Sequence, residues 1–232
     1  MKIFCLPYAG GTSSIYAPWK NENSKLTVIP LDLPGHGTNI SMPLLHSFER
    51  NLDFLYQKIS EELVYKDDDY YIFGHSLGGF FAYELCKRLE RSQFRNPTNI
   101  FVSGCKPPLL REKYDLSSQA NIKQILKDYG ATPPEILDND EIFSFFQPII
   151  LNDFLVFNDY KETDFSKIST PGYIFYGIDD DVSIDELLNW QDYFINKILF
   201  FPFDGGHFFI TENNREVFST INNLIKEEVN NK

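Results

Sequence analysis

Six short stretches, residues 2–6, 26–31, 70–74, 99–103, 172–176 and 198–203, are dominated by aromatic and aliphatic side chains and read as strands. Between them the rhythm changes to helical spacing, with Leu45, Phe48, Leu52, Leu55, Ile59 and Leu63 in residues 44–63 and Phe81, Leu85 and Leu89 after residue 80. Further helices are expected near residues 15–19, 184–194 and 215–229. Strands alternating with helices predict an α/β fold: a mostly parallel sheet covered by helices on both faces. The alternation breaks between about residues 107 and 160, where helical stretches near 122–129 and 140–146 flank Pro133-Pro134. That segment carries Phe143, Phe145, Phe146, Ile149, Ile150, Leu151, Phe154 and Phe157 and reads as a helical lid inserted into a single domain spanning residues 1–232.

The third strand runs into Gly74-His75-Ser76-Leu77-Gly78-Gly79 and straight on into a helix. A serine at such a turn adopts a strained backbone, and the positions two before and two after it must be tiny, as Gly74 and Gly78 are. The alternative is an ordinary strand-to-helix turn with a serine N-cap. As a nucleophile, Ser76 requires a base and an acid to orient it, and at an elbow of this kind they follow in the order serine, acid, histidine. Of His36, His46, His75 and His207, only His207 lies beyond Ser76, in the loop Asp204-Gly205-Gly206-His207-Phe208 that leaves a strand. His75, adjacent to the nucleophile, is expected to point away from the attack geometry. The acid belongs to Gly177-Ile178-Asp179-Asp180-Asp181, which offers three carboxylates. Asp180 is chosen, Asp179 and Asp181 being loop or capping residues, Asp185 a first-turn charge, and Asp204 a further alternative. Oxyanion donors are expected from the backbone N–H of Leu77 and from the glycine-rich loop 7–11, at Ala9.

Composition narrows the class. The net charge of −12 and the absence of a basic tract argue against nucleic acid as the main partner. Pro7 and Gly10-Gly11 interrupt the apolar N-terminal run before it could serve as a signal segment, and no membrane span is visible, so a cytoplasmic protein is expected, most simply a monomer. Cys5, Cys86 and Cys105 are widely spaced and odd in number, which fits buried thiols and neither a disulfide framework nor a zinc site. The Asp-rich loop lacks the spacing of a calcium site, and the chemistry needs neither metal nor cofactor.

The chain resembles a known family through Pro7-Tyr8-Ala9-Gly10-Gly11, Pro34-Gly35-His36-Gly37, the Ser76 elbow, the Asp loop leading to Trp190, Gly205-Gly206-His207-Phe208 and, in the lid, the run from Gly130 to Glu135. It is similar to type II thioesterases, the free-standing α/β-hydrolase enzymes that accompany nonribosomal peptide and polyketide synthetases, those of surfactin-type systems above all. Leu77 stands where that family often has Met, and the Pro that many members carry after the acidic residue is absent. The resemblance implies an α/β-hydrolase fold, Ser76, Asp180 and His207 as a triad, and Leu77 and Ala9 as oxyanion donors. It further implies hydrolysis of misloaded acyl groups from the phosphopantetheine arm of carrier domains. Carriers are commonly acidic, and residues 86–113 have a local balance of +5 against −17 elsewhere. Lys87, Arg88, Arg91, Lys106 and Arg111 are therefore expected to help dock the carrier. A fatty-acyl thioesterase or general esterase of the same fold, and a non-catalytic binding protein, are the competing readings.

Overall fold

Aromatic and aliphatic strands leave no face for water, so both sides of their sheet must be covered. The computed structural model describes the chain apart from residues 21, 23–24, 64–68, 131, 133 and 231–232. Six strands, β1 (Lys2–Leu6), β2 (Thr27–Pro30), β3 (Tyr70–His75), β4 (Asn99–Ser103), β5 (Gly172–Gly177) and β6 (Leu199–Phe203), form one sheet in the order β2-β1-β3-β4-β5-β6. Every neighbouring pair is parallel, with Leu6 opposite Gly74, His75 opposite Ser103 and Gly177 opposite Phe203. The described helices are α1 (Ala17–Lys20), α2 (Phe48–Glu62), α3 (Leu77–Glu90), α4 (Gln119–Tyr129), α5 (Pro134–Leu137), α6 (Asp140–Asp159), α7 (Ile184–Leu188), α8 (Phe209–Glu212) and α9 (Asn214–Asn230).

The period of two along each strand divides the core. Phe4, Ile72, Ile100, Val102 and Ile174 face α2 and α3 in one cluster, whereas Ile3, Cys5, Tyr71, Phe73, Phe101 and Phe175 face α1 and α9 in another. A third cluster, Ile122, Leu126, Leu137, Phe143 and Phe154, belongs to the 107–160 segment and packs against Ala9 of the loop after β1. The loops leaving β1, β3, β5 and β6 consequently share one edge of the sheet, beneath that segment.

Three boundaries differ from the sequence expectation. Helix α2 begins at Phe48 rather than near residue 44, because the Leu45 carbonyl is taken by the side chains of Asn51 and Asn152 instead of a helical ladder. The expected helix over 184–194 is α7 followed by a tighter 3-10 turn over Asn189–Tyr193, where the buried Trp190 reaches out to donate to the Cys105 carbonyl at 2.9 Å. Helix α6 does not stop at residue 146; it continues through Pro148 to Asp159. Proline forfeits a ladder bond there and crowds the carbonyl one turn back, and burial of Phe154, Val156 and Phe157 holds the second half in place. Asp67 and Asp68 lie outside the described residues, and Asp69 pairs with Arg95 at 3.0 Å. Ala131 and Pro133 lie outside them too.

Candidate active site

The turn from β3 into α3 is built by what its glycines avoid. A Cβ on Gly74 would lie 2.0 Å from the Gly78 carbonyl oxygen, and one on Gly78 would lie 2.2 Å from that of Leu6. The chain can therefore approach itself closely enough to hold Ser76 at φ 54°, the one positive φ outside glycine among the described residues. The Ser76 amide donates to the Ser103 carbonyl at 2.8 Å, which anchors the elbow to β4. This conformation lifts the side chain out of the sheet toward the edge where the loops converge.

On the neighbouring strands, two loops lock together. Gly177 has no room for a side chain because the carbonyls of Gly205 and Gly206 lie over it, and the Asp179 amide donates to the Gly205 carbonyl at 3.0 Å. This pins the loop after β6 onto the loop after β5. Of the three consecutive aspartates, Asp180 is the one that reaches His207, its Oδ2 accepting from Nδ1 at 3.0 Å with side-chain exposures of 4% and 8%. Asp179 and Asp181 are exposed, Asp204 is exposed and uses its carbonyl to hold Asn213, and Asp185 lies in the first turn of α7 beside the Ser183–Glu186 capping box. With Nδ1 committed to Asp180, the His207 Nε2 makes no hydrogen bond among the described residues and is the nitrogen able to accept a proton.

Ser76, Asp180 and His207 line a cavity of about 380 Å³ together with Phe80, Tyr114, Tyr129 and Phe157. A smaller recess of about 30 Å³ continues from Ser76 and His207 to Tyr8, Ala9 and Leu77. There, the N–H of Leu77 opens a helix and so has no intrahelical partner. The N–H of Ala9 likewise has no hydrogen-bond partner among the described residues. Both expected oxyanion donors thus border the same recess as the serine. Among the described residues, no group of three or more His, Cys, Asp or Glu side chains is placed to hold a metal ion.

A model of the thioesterase domain family matches residues 1–225. The chain belongs to that family. It is 27% identical over 224 residues to the gramicidin S biosynthesis protein GrsT of Aneurinibacillus migulanus, covering 94% of this chain and 86% of GrsT. It is 26% identical to the medium-chain S-acyl fatty acid synthase thioesterase of Rattus norvegicus, covering 94% of this chain and 84% of the relative. Among solved structures, ClbQ from the colibactin NRPS/PKS pathway superposes with a TM-score of 0.87 at 33% identity and 97% coverage of each chain. As a thioesterase-family member the chain is a thioester hydrolase, and none of its described helices is long and apolar enough to cross a membrane.

Three features of this thioesterase were not visible in the sequence. His75 does point away from the cavity, but its Nε2 donates to the His207 carbonyl at 2.9 Å while the Ser103 hydroxyl donates to Nδ1 at 2.8 Å, so it holds the backbone of the histidine loop. Burial, with the neighbouring His207, pushes its pKa well below the usual histidine value and keeps it neutral. Tyr129, at the end of α4, lies with its ring 4.4 Å from that of His207 and shares a hydroxyl hydrogen bond with Tyr114. It roofs the imidazole, and nothing in the local pattern around residue 129 marks it. Finally, His36 and Asp153 form a second, more deeply buried His–Asp pair at 2.9 Å.

The cations expected to dock a carrier each have partners within the fold. Lys87 is buried and donates to Glu84 and the Asp164 carbonyl; Arg88 pairs with Glu49 and Asp53; Arg91 pairs with Asp164; and Lys106 pairs with Glu186. Arg111 donates to the carbonyls of Phe157 and Tyr160 at 3.0 and 2.8 Å, capping the C-terminus of α6. These cations face carboxylates and carbonyls that all lie outside residues 86–113, which a count along that stretch cannot register. All three cysteines are free and buried, and desolvation holds each thiol well above its usual pKa.

Proposed function

We propose that the protein is a serine thioesterase that clears acyl groups from phosphopantetheinyl carrier domains of a peptide or polyketide synthetase, with Ser76, His207 and Asp180 as its triad. The observation that carries the reading is the Asp180–His207 hydrogen bond facing the cavity that Ser76 borders from a strained elbow. Ser76 Oγ attacks the thioester carbonyl carbon as its proton passes to His207 Nε2, and the carbonyl electron pair moves onto oxygen. The N–H groups of Ala9 and Leu77 stabilise that oxyanion. Collapse expels the pantetheine thiol, which takes the proton back from His207 and leaves an acyl ester on Ser76. Water, deprotonated by His207, attacks the ester; collapse returns the proton to Ser76 and releases the carboxylic acid. Asp180 keeps the imidazole in the tautomer with Nε2 open and stabilises the imidazolium in both halves of the cycle. The segment 107–160 acts as the lid, and Phe80, Tyr114, Tyr129 and Phe157 give the acyl chain an apolar, aromatic bed.

The resemblance to GrsT and ClbQ supports the synthetase-linked role, and the medium-chain relative supports a second reading, release of fatty-acyl chains, which the aromatic lining would also suit. Release of acetyl from acetyl-phosphopantetheinyl carrier protein by the wild type and by Ser76→Ala, beside p-nitrophenyl acetate, tests both. Ser76-dependent release from the carrier faster than ester cleavage is expected. An inert acetyl carrier with rapid release from a decanoyl carrier would transfer the function to the fatty-acyl reading.

A further inference from the structure

Helix α6 reaches the oxyanion loop with two residues one turn apart. Ile150 packs its Cγ1 3.0 Å from where a Gly10 Cβ would be, and Asp153 Oδ2 accepts the Gly10 N–H at 2.6 Å. The same Oδ2 accepts from His36 Nε2 at 2.9 Å, and the Asp153 side chain is 1% exposed. No step of the chemistry above uses this carboxylate. A buried acid held against the backbone beside a reacting centre calls for a role, because burying it unpaired would be costly.

We propose that Asp153 is a positioning residue of the oxyanion hole, seating the lid helix on Gly10 and thereby fixing the direction of the Ala9 N–H. This rests on the reading of Ala9 as an oxyanion donor. Gly10 sits at φ +73°, and the Gly11 N–H closes a turn onto the Tyr8 carbonyl at 2.9 Å. Ala9 and Gly10 are the two central residues of that turn, and the Asp153 bond holds the peptide between them. Without that bond the central peptide could rotate cheaply, since glycine tolerates either sign of φ, and the turn whose Tyr8 carbonyl orients the Tyr8–Ala9 peptide, and with it the Ala9 N–H, would loosen.

His36 makes a carboxylate acceptable so near a developing oxyanion. Its Nδ1 faces the Pro34 carbonyl at 3.1 Å and its Nε2 faces Asp153, so both nitrogens donate and the ring is an imidazolium. Its charge cancels that of Asp153, leaving the hydrogen bond without the repulsion. The hole is then complete only while α6 is seated, which ties lid position to catalytic competence.

The test compares Asp153→Ala and Asp153→Asn with the wild type, counting active sites by fluorophosphonate labelling of Ser76 and measuring p-nitrophenyl acetate turnover. It also measures the affinity of an alkylthio trifluoromethyl ketone, which Ser76 converts to a hemiketal oxyanion. Asp153→Ala should lower kcat per labelled site by about 10–100-fold with KM nearly unchanged, and weaken the ketone by a similar factor. Asp153→Asn keeps a carbonyl acceptor for Gly10 and should recover both to within about fivefold of the wild type. If Asp153→Ala does not fold, Asp153→Glu, which displaces the carboxylate by one methylene, replaces it with the same expected direction. Wild-type kcat and ketone affinity in the labelled displaced variant, accompanied only by a lower Tm, overturn the inference, as does an Asn variant no better than Ala. A wild type that is not labelled at Ser76 overturns the serine reading and this inference with it.

Discussion

The protein holds two histidine–aspartate pairs that are nearly alike in length, 3.0 Å for His207–Asp180 and 2.9 Å for His36–Asp153. They differ in what the other ring nitrogen meets. In His207 it has no partner among the described residues and opens onto the cavity with Ser76, so the ring can take up a proton. In His36 it faces the Pro34 carbonyl, which can only accept, so that nitrogen already carries a proton and is closed to another. His75 gives a third state, neutral and locked between the Ser103 hydroxyl and the His207 carbonyl. A carboxylate beside an imidazole therefore does not by itself mark a base; what the second nitrogen meets separates the two pairs.

The sharpest break of this comparison is kinetic. His207→Ala should lower kcat for carrier-bound acetyl by about 10⁴–10⁶-fold, and Asp180→Asn by about 10³–10⁴-fold through loss of the productive tautomer. Steady-state turnover of each variant against acetyl carrier protein measures this. His36→Leu acts on kcat no more strongly than Asp153→Ala; a loss matching that of His207→Ala would make the two pairs functionally alike and dissolve the distinction. The larger consequence of His36→Leu is for folding. It leaves Asp153 buried with its charge unpaired, which costs about 3–5 kcal/mol for pairs buried this deeply. Urea unfolding should show a lower midpoint at an unchanged m value, whereas Asp180→Asn moves the midpoint less.

Legibility in the sequence follows the range of the interactions. The strands could be read because each is apolar on both faces, a local property, and β1 and β4 fall at the expected residues. The elbow could be read because Gly74 and Gly78 answer to contacts made within a few residues or with the adjacent strand. His207 could be singled out by chain order, while the choice among Asp179, Asp180 and Asp181 turned on loop geometry that spacing does not encode. What stayed hidden is long-range and polar. Asp153 meets Gly10 across 143 residues of chain, Lys87 meets Asp164 across 77, and Asn152 meets Leu45 across 107. Each side chain looks like an ordinary polar position on its own helix, and only the tertiary contact gives it a task.

The finest expected difference between the histidines appears in the pH dependence of stability. Burial alone would lower the His36 pKa, but the hydrogen bond and charge of Asp153, the Pro34 carbonyl and the charge of Asp32 raise it above the ordinary value. The folded protein then keeps a proton that the unfolded chain releases near pH 6.5. This contribution is fully present below about pH 6.5 and is lost as pH rises through the folded-state value. His75 behaves in the opposite sense. Its lowered pKa means that the unfolded chain binds a proton which the folded one refuses, so its contribution is present above about pH 6.5 and declines as pH falls. Asp32, the other acid facing His36, is raised by burial but lowered overall by four hydrogen bonds from Ser13 and Thr38, and titrates well below this window. The two histidines together predict a stability maximum near neutrality, with an alkaline slope that His36→Leu combined with Asp153→Asn removes, no buried carboxylate being left to titrate in its place, and an acid slope that His75→Asn removes. Unfolding midpoints across about pH 5.5–8.5 read both slopes; an alkaline slope that survives in the double variant would mean that His36 is not the cation its two acceptors require.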